Sequence, residues 1–550
     1  MKDSIIKAIE ATAVNVSITL TTREAALQEG TRALMLVPGF DDLAPIEVAA
    51  SMLNLSQQIV SRYNSTLDKS QAALKWAMPK NIEAFQLAMC LIKRNNAINV
   101  IYVDTDEESS EIALYDATEG IYTINDAYIM RVILSYSVSA NKAYTDEVYA
   151  QLRALAPRKT RTTDRDLIPV NNGIFDYKSK TLLPFSPDFV FLAKSRTNYN
   201  PNATNPVIQN ADGTSWDVES WMQDLTDDPE ITNLFWEITG ALLRPNVSWD
   251  KSAWLYSDLG ENGKGTLCAM WRNLCGSAAT SISIADFSKD FMLSSLVTSQ
   301  AIIVDENDVG TFIDKAGALK AVITNDVVYI NRKFKNPIAY QFHGFMVQCL
   351  NELPRFKDKS DSIYRRQLFI PMSKCFTGKA NTDIKNDYIN RPEVLEYVMK
   401  RVLEMNYYKL SEPEACRFVL EEYKTYNDPV RQFWAEFEDR FVWDFIPYTF
   451  LYSLFKEWYK RDNPSGGIIG RNTFIKDLRN VVSKSQVFTL TDPVDAKIRV
   501  GAKMNATETL IAEYDLKDWQ TPGMNSSTAA TVEALCRPHI LDRMAGIVRK

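Results

Sequence analysis

Histidine is nearly absent from this chain, which has only His343 and His539. The seven cysteines (Cys90, Cys268, Cys275, Cys349, Cys375, Cys416 and Cys536) are scattered, and no two form a CxxC pair. These two scarcities argue against a zinc ribbon or a histidine-based metal centre. Single, dispersed cysteines fit reduced and mostly buried thiols. Long apolar runs are missing too: none approaches the roughly 18 residues that a membrane span needs. The first sixteen residues lack a basic region followed by a sustained apolar stretch, so no secretory signal is expected and the expected location is cytoplasmic. A surface basic all over is also excluded, because the net charge is -7. That does not exclude nucleic acid, since a ring can hold its cations in the channel and its anions outside.

What is present points to several packed domains. At roughly 150 residues per domain, 550 residues suggest about three or four. A hydrophobic fraction of 46% with 11 Trp, 25 Phe and 24 Tyr is ample for folded cores. Local charge is uneven. One basic cluster is Arg158-Lys159-Thr160-Arg161, a second is Arg332-Lys333-Phe334-Lys335, and a third runs through Arg355, Lys357, Lys359, Arg365 and Arg366. Such clusters are more often solvated faces than ligand sites, so position relative to the other motifs must decide.

No repeat at a solenoid period is visible. Residues 1–75 read as helical, with a break at Pro38-Gly39. A short strand, Ile98 to Val103, an acidic turn and then Ile112 to Tyr115 make a hairpin-like α+β region. Asp104 and Asp106 in that turn admit a metal-binding reading or a plain loop between strands. Asn, Pro, Gly, Thr and Asp dominate residues 198–215, which read as a linker. A helix is expected over Trp221 to Leu243, followed by the strand–loop–helix alternation of an α/β nucleotide-binding core. A polar stretch, Phe376 to Thr382, ends it. In the tail, Pro429 to Phe441 and Thr449 to Lys460 have helical spacing. A loop follows, then Asn472 to Val482, and then strand-like Gln486 to Leu490 and Lys497 to Val500, expected as a β-hairpin. That is the order of a winged helix. The expected domains are therefore 1–75, 76–215, 216–380, a helical connector at 381–430, and 431–550.

The segment Ala253 to Leu267 carries the chemistry. A short apolar strand enters a loop, Asp258-Leu259-Gly260-Glu261-Asn262-Gly263-Lys264-Gly265-Thr266, and an apolar helix follows. Small residues let backbone N–H groups turn toward phosphate oxygens, the helix start adds its dipole, and the lysine neutralises the outer phosphates. The match to the phosphate-binding loop is imperfect. Asp258 stands where Gly is usual, and Gly265 where a hydroxyl is usual. Thr266 can supply that hydroxyl only from a position turned by about 100° on the helix. Read alone, the string is also compatible with a simple turn. Downstream, Ala301-Ile302-Ile303-Val304-Asp305-Glu306 is a buried-strand run ending in two acids, as expected of the magnesium-holding and water-polarising carboxylates of ATP-splitting motors.

Further on, Phe345 to Leu350 is another strand, ending in Asn351-Glu352-Leu353-Pro354-Arg355-Phe356, with Tyr364-Arg365-Arg366 after it. This ordered set resembles the superfamily 3 DNA helicases, specifically the phage, plasmid and poxvirus primase-helicase family. Ile168 to Tyr177 and Asn198 to Pro201 resemble the family's amino-terminal helicase-associated domain, and residues 430–478 its winged-helix end. The likeness spans roughly residues 80–480.

The resemblance implies an AAA+-like α/β P-loop ATPase core between α+β helicase-associated and α+β winged-helix domains. It implies ATP and Mg2+ as ligands. Gly260, Asn262, Gly263, Lys264, Gly265 and Thr266 would form the nucleotide loop, with Lys264 on the outer phosphates. Asp305, and Thr266 in spite of the shift, would hold the metal. Glu306 would be the catalytic base and Asn351 the sensor of the γ-phosphate. Arg366, with Arg365 as its rival, would be the arginine finger reaching a neighbouring subunit. Val327 to Pro337 resembles a DNA-gripping hairpin, with Lys333 and Lys335 on backbone phosphates and Phe334 on a base; a solvated turn is the plain alternative.

The function implied is an ATP-dependent helicase translocating on single-stranded or forked DNA in phage or mobile-element replication. It would work as a homo-oligomeric ring, a hexamer by analogy, with other replication proteins as further partners and no membrane. Only about 75 residues precede the shared region, so a primase-polymerase fold is not expected. An ATP-switched initiator or origin-binding protein with little unwinding is the second reading. A generic AAA-type remodelling ATPase is the third.

Overall fold

The computed structural model describes residues 2–18, 22–103, 109–138, 140–210, 212–308, 312–333, 335–378, 381–462, 468–504, 506–520, 536 and 543–550. Asp104, Asp106 and Phe334, and with them the metal reading of the first two and the base contact of the third, lie outside these residues. The chain divides into two compact units, Met1–Leu353 with Arg365–Pro413, and Pro354–Tyr364 with Glu414–Lys550. Among the described residues no helix is long and apolar enough to cross a membrane.

The first unit opens with helices Lys2–Asn15, Arg23–Met35 and Pro45–Ser65. The third buries Val48, Met52, Leu55, Ile59 and Val60 at three- and four-residue spacing, starts with Pro45 at its first turn, and bonds Glu47 back to the Ala44 N–H at 3.2 Å. One hydrophobic core runs from Ile5 through Leu55, Leu87 and Leu114 to Leu152. The expected boundary at residue 75 therefore cuts through a single core: these helices cannot bury their apolar faces without the segment that follows. That segment contributes a sheet ordered Ile121–Thr123, Glu111–Asp116, Ile98–Ile101, Arg158–Thr160. Ile98 faces Ala113 in an antiparallel pair, and Arg158–Thr160 pairs in parallel as the edge strand. The first basic cluster is largely that strand. Leu167–Val170, Gly173–Asp176 and Thr181–Leu183 form a separate three-stranded meander.

The helix expected over Trp221 to Leu243 is two helices, Val218–Asp224 and Pro229–Leu243. Pro229 has no N–H to continue the first, and the Asp228 carboxylate caps the second by accepting from the Glu230 N–H at 2.8 Å.

The central sheet has five strands in the order Ala279–Thr280, Ala301–Val304, Phe345–Leu350, Ser252–Tyr256, Gln367–Pro371. Every pairing is parallel. The acid strand and the Phe345–Leu350 strand are buried at every position, as strands covered on both faces must be. Tyr256 lies opposite Leu350, and Val304 opposite Gln348. The three carboxyl ends thus come out side by side, and the loops after them share one edge. Parallel sheets bind ligands at that edge. The hairpin Val327–Arg332 and Lys335–Gln341 is antiparallel, with Val328 and Ile330 buried and Val327 and Tyr329 exposed.

In the second unit, helices Pro429–Phe437, Tyr448–Asp462 and Arg471–Val482 pack an aromatic core that includes Phe433, Trp434, Phe455 and Phe474. The hairpin expected between residues 486–490 and 497–500 does not form. Phe488–Leu490 instead pairs with Gly546–Arg549, in a sheet ordered Phe445–Pro447, Gly546–Arg549, Phe488–Leu490. Ile498–Arg499 pairs with Arg543–Met544. The expected connector at 381–430 is shared between the units, with helix Pro392–Leu403 in the first and Glu414–Asn427 in the second.

Candidate functional site

The strand Ser252–Tyr256 runs into the loop and the helix Lys264–Cys275 begins directly at Lys264. Gly263 precedes it in the left-handed region, with φ 85, and a Cβ there would come within 2.6 Å of Leu225 Cδ2. The left-handed φ favours glycine, and a Cβ would also require Leu225 to shift. Glu261 also has positive φ, 51, which costs a non-glycine residue energy and marks the loop as strained. Gly260 meets no such constraint, since a Cβ there would contact nothing within 4 Å. Asn262 is buried and staples the loop: its Nδ2 donates to Leu259 O at 2.5 Å and its Oδ1 accepts from the Lys264 N–H at 3.2 Å.

The Lys264 side chain is buried, and its Nζ donates to Ser257 O at 3.2 Å, Leu350 O at 2.9 Å and Asn351 Oδ1 at 2.9 Å. Burial lowers its pKa from the ordinary lysine value, opposed in part by the charge of Asp258. Lys264 and Asn351, distant in sequence, are thus in direct contact. Asp305 and Glu306 follow the neighbouring strand; Asp305 is half-buried and Glu306 is exposed. Asp305 Oδ2 lies 3.5 Å from Arg272, which also donates to Ile303 O at 3.0 Å.

Asp305 Oδ1 is buried and has no hydrogen-bond partner among the described residues. Those residues contain no cluster of three or more Asp, Glu, His or Cys able to hold a metal by themselves. The pattern fits a magnesium ion held by one carboxylate and by a ligand's phosphates, the usual manner for that ion, and it does not fit a protein-only cage. Thr266 is half-buried on the helix beside Gly265.

Two residues at this edge were not anticipated. Asn307 Nδ2 donates to Gln348 Oε1 and Cys349 O, both at 3.0 Å, and its Oδ1 accepts from the Ile284 N–H at 3.0 Å. It ties the exit of the acid strand to the strand that ends in Asn351. Arg272 orients Asp305 from the helix that starts at Lys264. A polar residue closing an acid run was the available signal for the first. Nothing local marked the second.

Arg365 and Arg366 precede the edge strand, and Ser252 at the start of the loop strand pairs with Gln367. The two arginines therefore lie at the far end of the sheet from their own Gly-Lys loop and cannot serve it. Arg366 is buried, and its backbone carbonyl accepts from the Ser252 N–H at 2.9 Å, whereas Arg365 is exposed.

At the hairpin, Lys333 and Lys335 are exposed. Lys335 Nζ lies 3.3 Å from Glu111 and 3.1 Å from Asp126, and Arg332 lies 2.5 Å from Glu111. Tyr102 OH adds a 2.7 Å bond to Glu111. Burial raises the Glu111 pKa, but the bonds from Arg332 and Tyr102 outweigh it, and the net shift is downward. Two hairpin cations are thus held by carboxylates of the preceding domain.

Residues 425–521 match the sequence model of the family described as "Poxvirus D5 protein-like", and residues 95–235 match "D5 N terminal like". Between them, residues 255–366 match a "Family of unknown function (DUF5906)". The chain is therefore D5-like on both sides of its central sheet. No curated protein matches it. Among solved structures it is similar to an apo form of the NrS-1 C terminal region at 13% identity and TM-score 0.39, over 72% of this chain and 86% of that one. A second, spanning residues 305-718 of NrS-1, gives 11% identity and TM-score 0.41 over 84% of this chain and 100% of that one. A third gives 13% and 0.40 over 74% and 96%.

Proposed function

We propose that this chain is an ATP-dependent DNA helicase of the D5-like primase-helicase type, in which an AAA+-like P-loop core drives movement along a single strand. The observation that carries the proposal is the shared edge of the parallel sheet, where Lys264 bonds to Asn351 at the end of one strand and Asp305 follows the end of the next. The D5-like segments flanking it support a replication role for a DNA enzyme.

In this reading the β- and γ-phosphates lie over the loop 258–266, against the start of the helix Lys264–Cys275 and its positive dipole end. Lys264 exchanges part of its present hydrogen bonding for phosphate oxygens. A magnesium ion, when bound, supplies further neutralisation of the phosphate charge, with Asp305 and Thr266 as the residues to hold it. Glu306, exposed beside them, accepts the proton of a water whose oxygen attacks the γ-phosphorus. The bond to the bridging oxygen breaks, leaving ADP and phosphate. Asn351 loses the Lys264 bond when the lysine turns to phosphate, and this is how the strand behind it registers the γ-phosphate. Arg365 is the better candidate for the finger, because an arginine that acts on a neighbouring copy has to be exposed. That role requires an oligomeric ring, and a monomer should turn over slowly.

The second unit supports a winged-helix reading in a modified form. Three helices and a sheet with the strand Gly546–Arg549 in its centre fit that topology. A second function, an ATP-switched replication initiator, is favoured by one observation: Arg332 and Lys335 are paired with Glu111 and Asp126 and so are not free to meet DNA. Strand displacement on forked DNA with ATP separates the two. The motor reading predicts unwinding by the parent and loss of it in Glu306→Gln and Arg365→Ala. Duplex binding without unwinding would favour the initiator.

A further inference from the structure

Gly265 stands where a phosphate loop ordinarily carries a hydroxyl, and its surroundings are specific. A Cβ built on it would meet two groups within 4 Å: Lys385 Nζ at 3.6 Å and Asp305 Oδ2 at 4.0 Å. Lys385 belongs to the short helix Thr382–Asn386, beyond the edge strand. It is an exposed residue, and exposed lysines usually extend into water, yet this ammonium lies over the loop's glycine.

The backbone around Lys385 is anchored. After the edge strand, Met372 N donates to Tyr256 O at 2.8 Å and Phe376 N to Glu261 O at 2.8 Å, which brings the chain back across the Gly-Lys loop. Beyond the helix, Tyr388 OH donates to Asn210 Oδ1 at 2.7 Å. Asn273, on the same helix as Gly265, donates to Ile389 O at 3.0 Å and to Asn390 Oδ1 at 2.7 Å. Asn390 in turn donates to Lys385 O at 3.0 Å. Lys385 is therefore delivered to Gly265 by a segment fastened on both sides of it and, through Asn273, to the very helix that carries the loop.

We propose that Lys385 is a second phosphate-binding cation, which recognises the outer phosphates of a nucleoside triphosphate together with Lys264. This rests on the nucleotide-binding reading of the same loop. A triphosphate approaching this edge meets the carboxylates of Asp258, Glu261, Asp305 and Glu306. A loop ringed by those carboxylates has the more need of a fixed positive charge. Lysine suits the task as a compact point charge for phosphate.

The test is equilibrium binding of ATP and of inorganic tripolyphosphate to the full chain, with the parent, Lys385→Ala, Lys385→Arg and Lys264→Ala compared with and without magnesium. Charge-assisted hydrogen bonds of this kind imply a loss of about 10- to 100-fold in Lys385→Ala. The loss should be equal for both ligands, larger when magnesium is withheld, and largely restored in Lys385→Arg. The melting temperature of Lys385→Ala should match the parent's. Parent-like affinity in Lys385→Ala, with binding lost in Lys264→Ala, overturns this proposal and leaves the nucleotide site standing. A loss confined to ATP, or one accompanied by a lowered melting temperature, also overturns it. No triphosphate binding by the parent, or undiminished binding by Lys264→Ala, removes the nucleotide reading and this proposal with it.

Discussion

The Lys264 ammonium donates to Asn351 Oδ1 at 2.9 Å, joining the residue that opens the central helix to the residue that ends the strand beside it. An ammonium has three protons to donate, and the carbonyls of Ser257 and Leu350 take the other two. A phosphate can therefore engage Lys264 only by displacing one of the three acceptors. Asn351 is the exposed one and, as a side chain, the freest to yield.

Asn351→Ala is expected to leave triphosphate affinity unchanged or slightly higher, since an acceptor competing for Lys264 is gone. Turnover should fall by at least about tenfold, the scale of one lost hydrogen bond to a charged group. Separate measurement of Kd and kcat checks this. An unaltered kcat would remove the sensor role.

Arg365→Ala should bind triphosphate normally and hydrolyse it about 10³-fold more slowly, within the range for loss of a finger. Mixing it with Glu306→Gln should restore part of the activity, because some interfaces then join an intact carboxylate site to an intact arginine. Arg366→Ala, which alters a buried position, is expected to lower the melting temperature instead. No recovery on mixing would argue against catalysis across an interface.

The strands of the central site were legible because each is a short apolar run ending in a polar residue, and the parallel sheet buries Ile302, Ile303, Val347 and Cys349 as such runs require. The hairpin was legible from its alternation, with Val328 and Ile330 inward. Contacts that depend on the tertiary fold were not. Nothing near Arg272 says that it will meet Asp305, and Lys385 reaches Gly265 only because the chain doubles back after Pro371. The pairing of the tail was hidden for the same reason. Local strand propensity identifies Phe488 to Leu490, but its partner, Gly546–Arg549, lies far along the chain, and propensity favours the nearer strand. The core from Ile5 to Leu152 crosses a boundary that composition alone places at residue 75.

Glu111→Gln combined with Asp126→Asn should release Arg332 and Lys335 from their carboxylates. Single-stranded DNA affinity at low salt is expected to rise several-fold. The plot of log affinity against log salt should steepen by about 0.7 for each additional phosphate that these cations neutralise. A salt slope equal to the parent's would mean that they do not reach DNA.

Burial lowers the pKa of His343 to about 4, with the Arg161 charge adding to the effect. The unfolded chain titrates this group near the ordinary value of about 6.5, so between those two values it binds more protons than the folded chain. Stability contributed by the neutral imidazole is complete above about pH 6.5 and declines as the pH falls toward 4. Melting temperatures measured across that window should fall for the parent and fall less steeply for His343→Gln. Parallel curves would show that His343 does not govern the acid limb.

The central claim, that this sheet edge splits nucleoside triphosphate in the service of DNA, is tested most directly by phosphate release from ATP with and without single-stranded DNA. Purified parent protein at a concentration that permits assembly should release phosphate, and do so faster with DNA present. Lys264→Ala and Glu306→Gln should release none above background. Absence of phosphate release by the parent under every such condition would contradict the account.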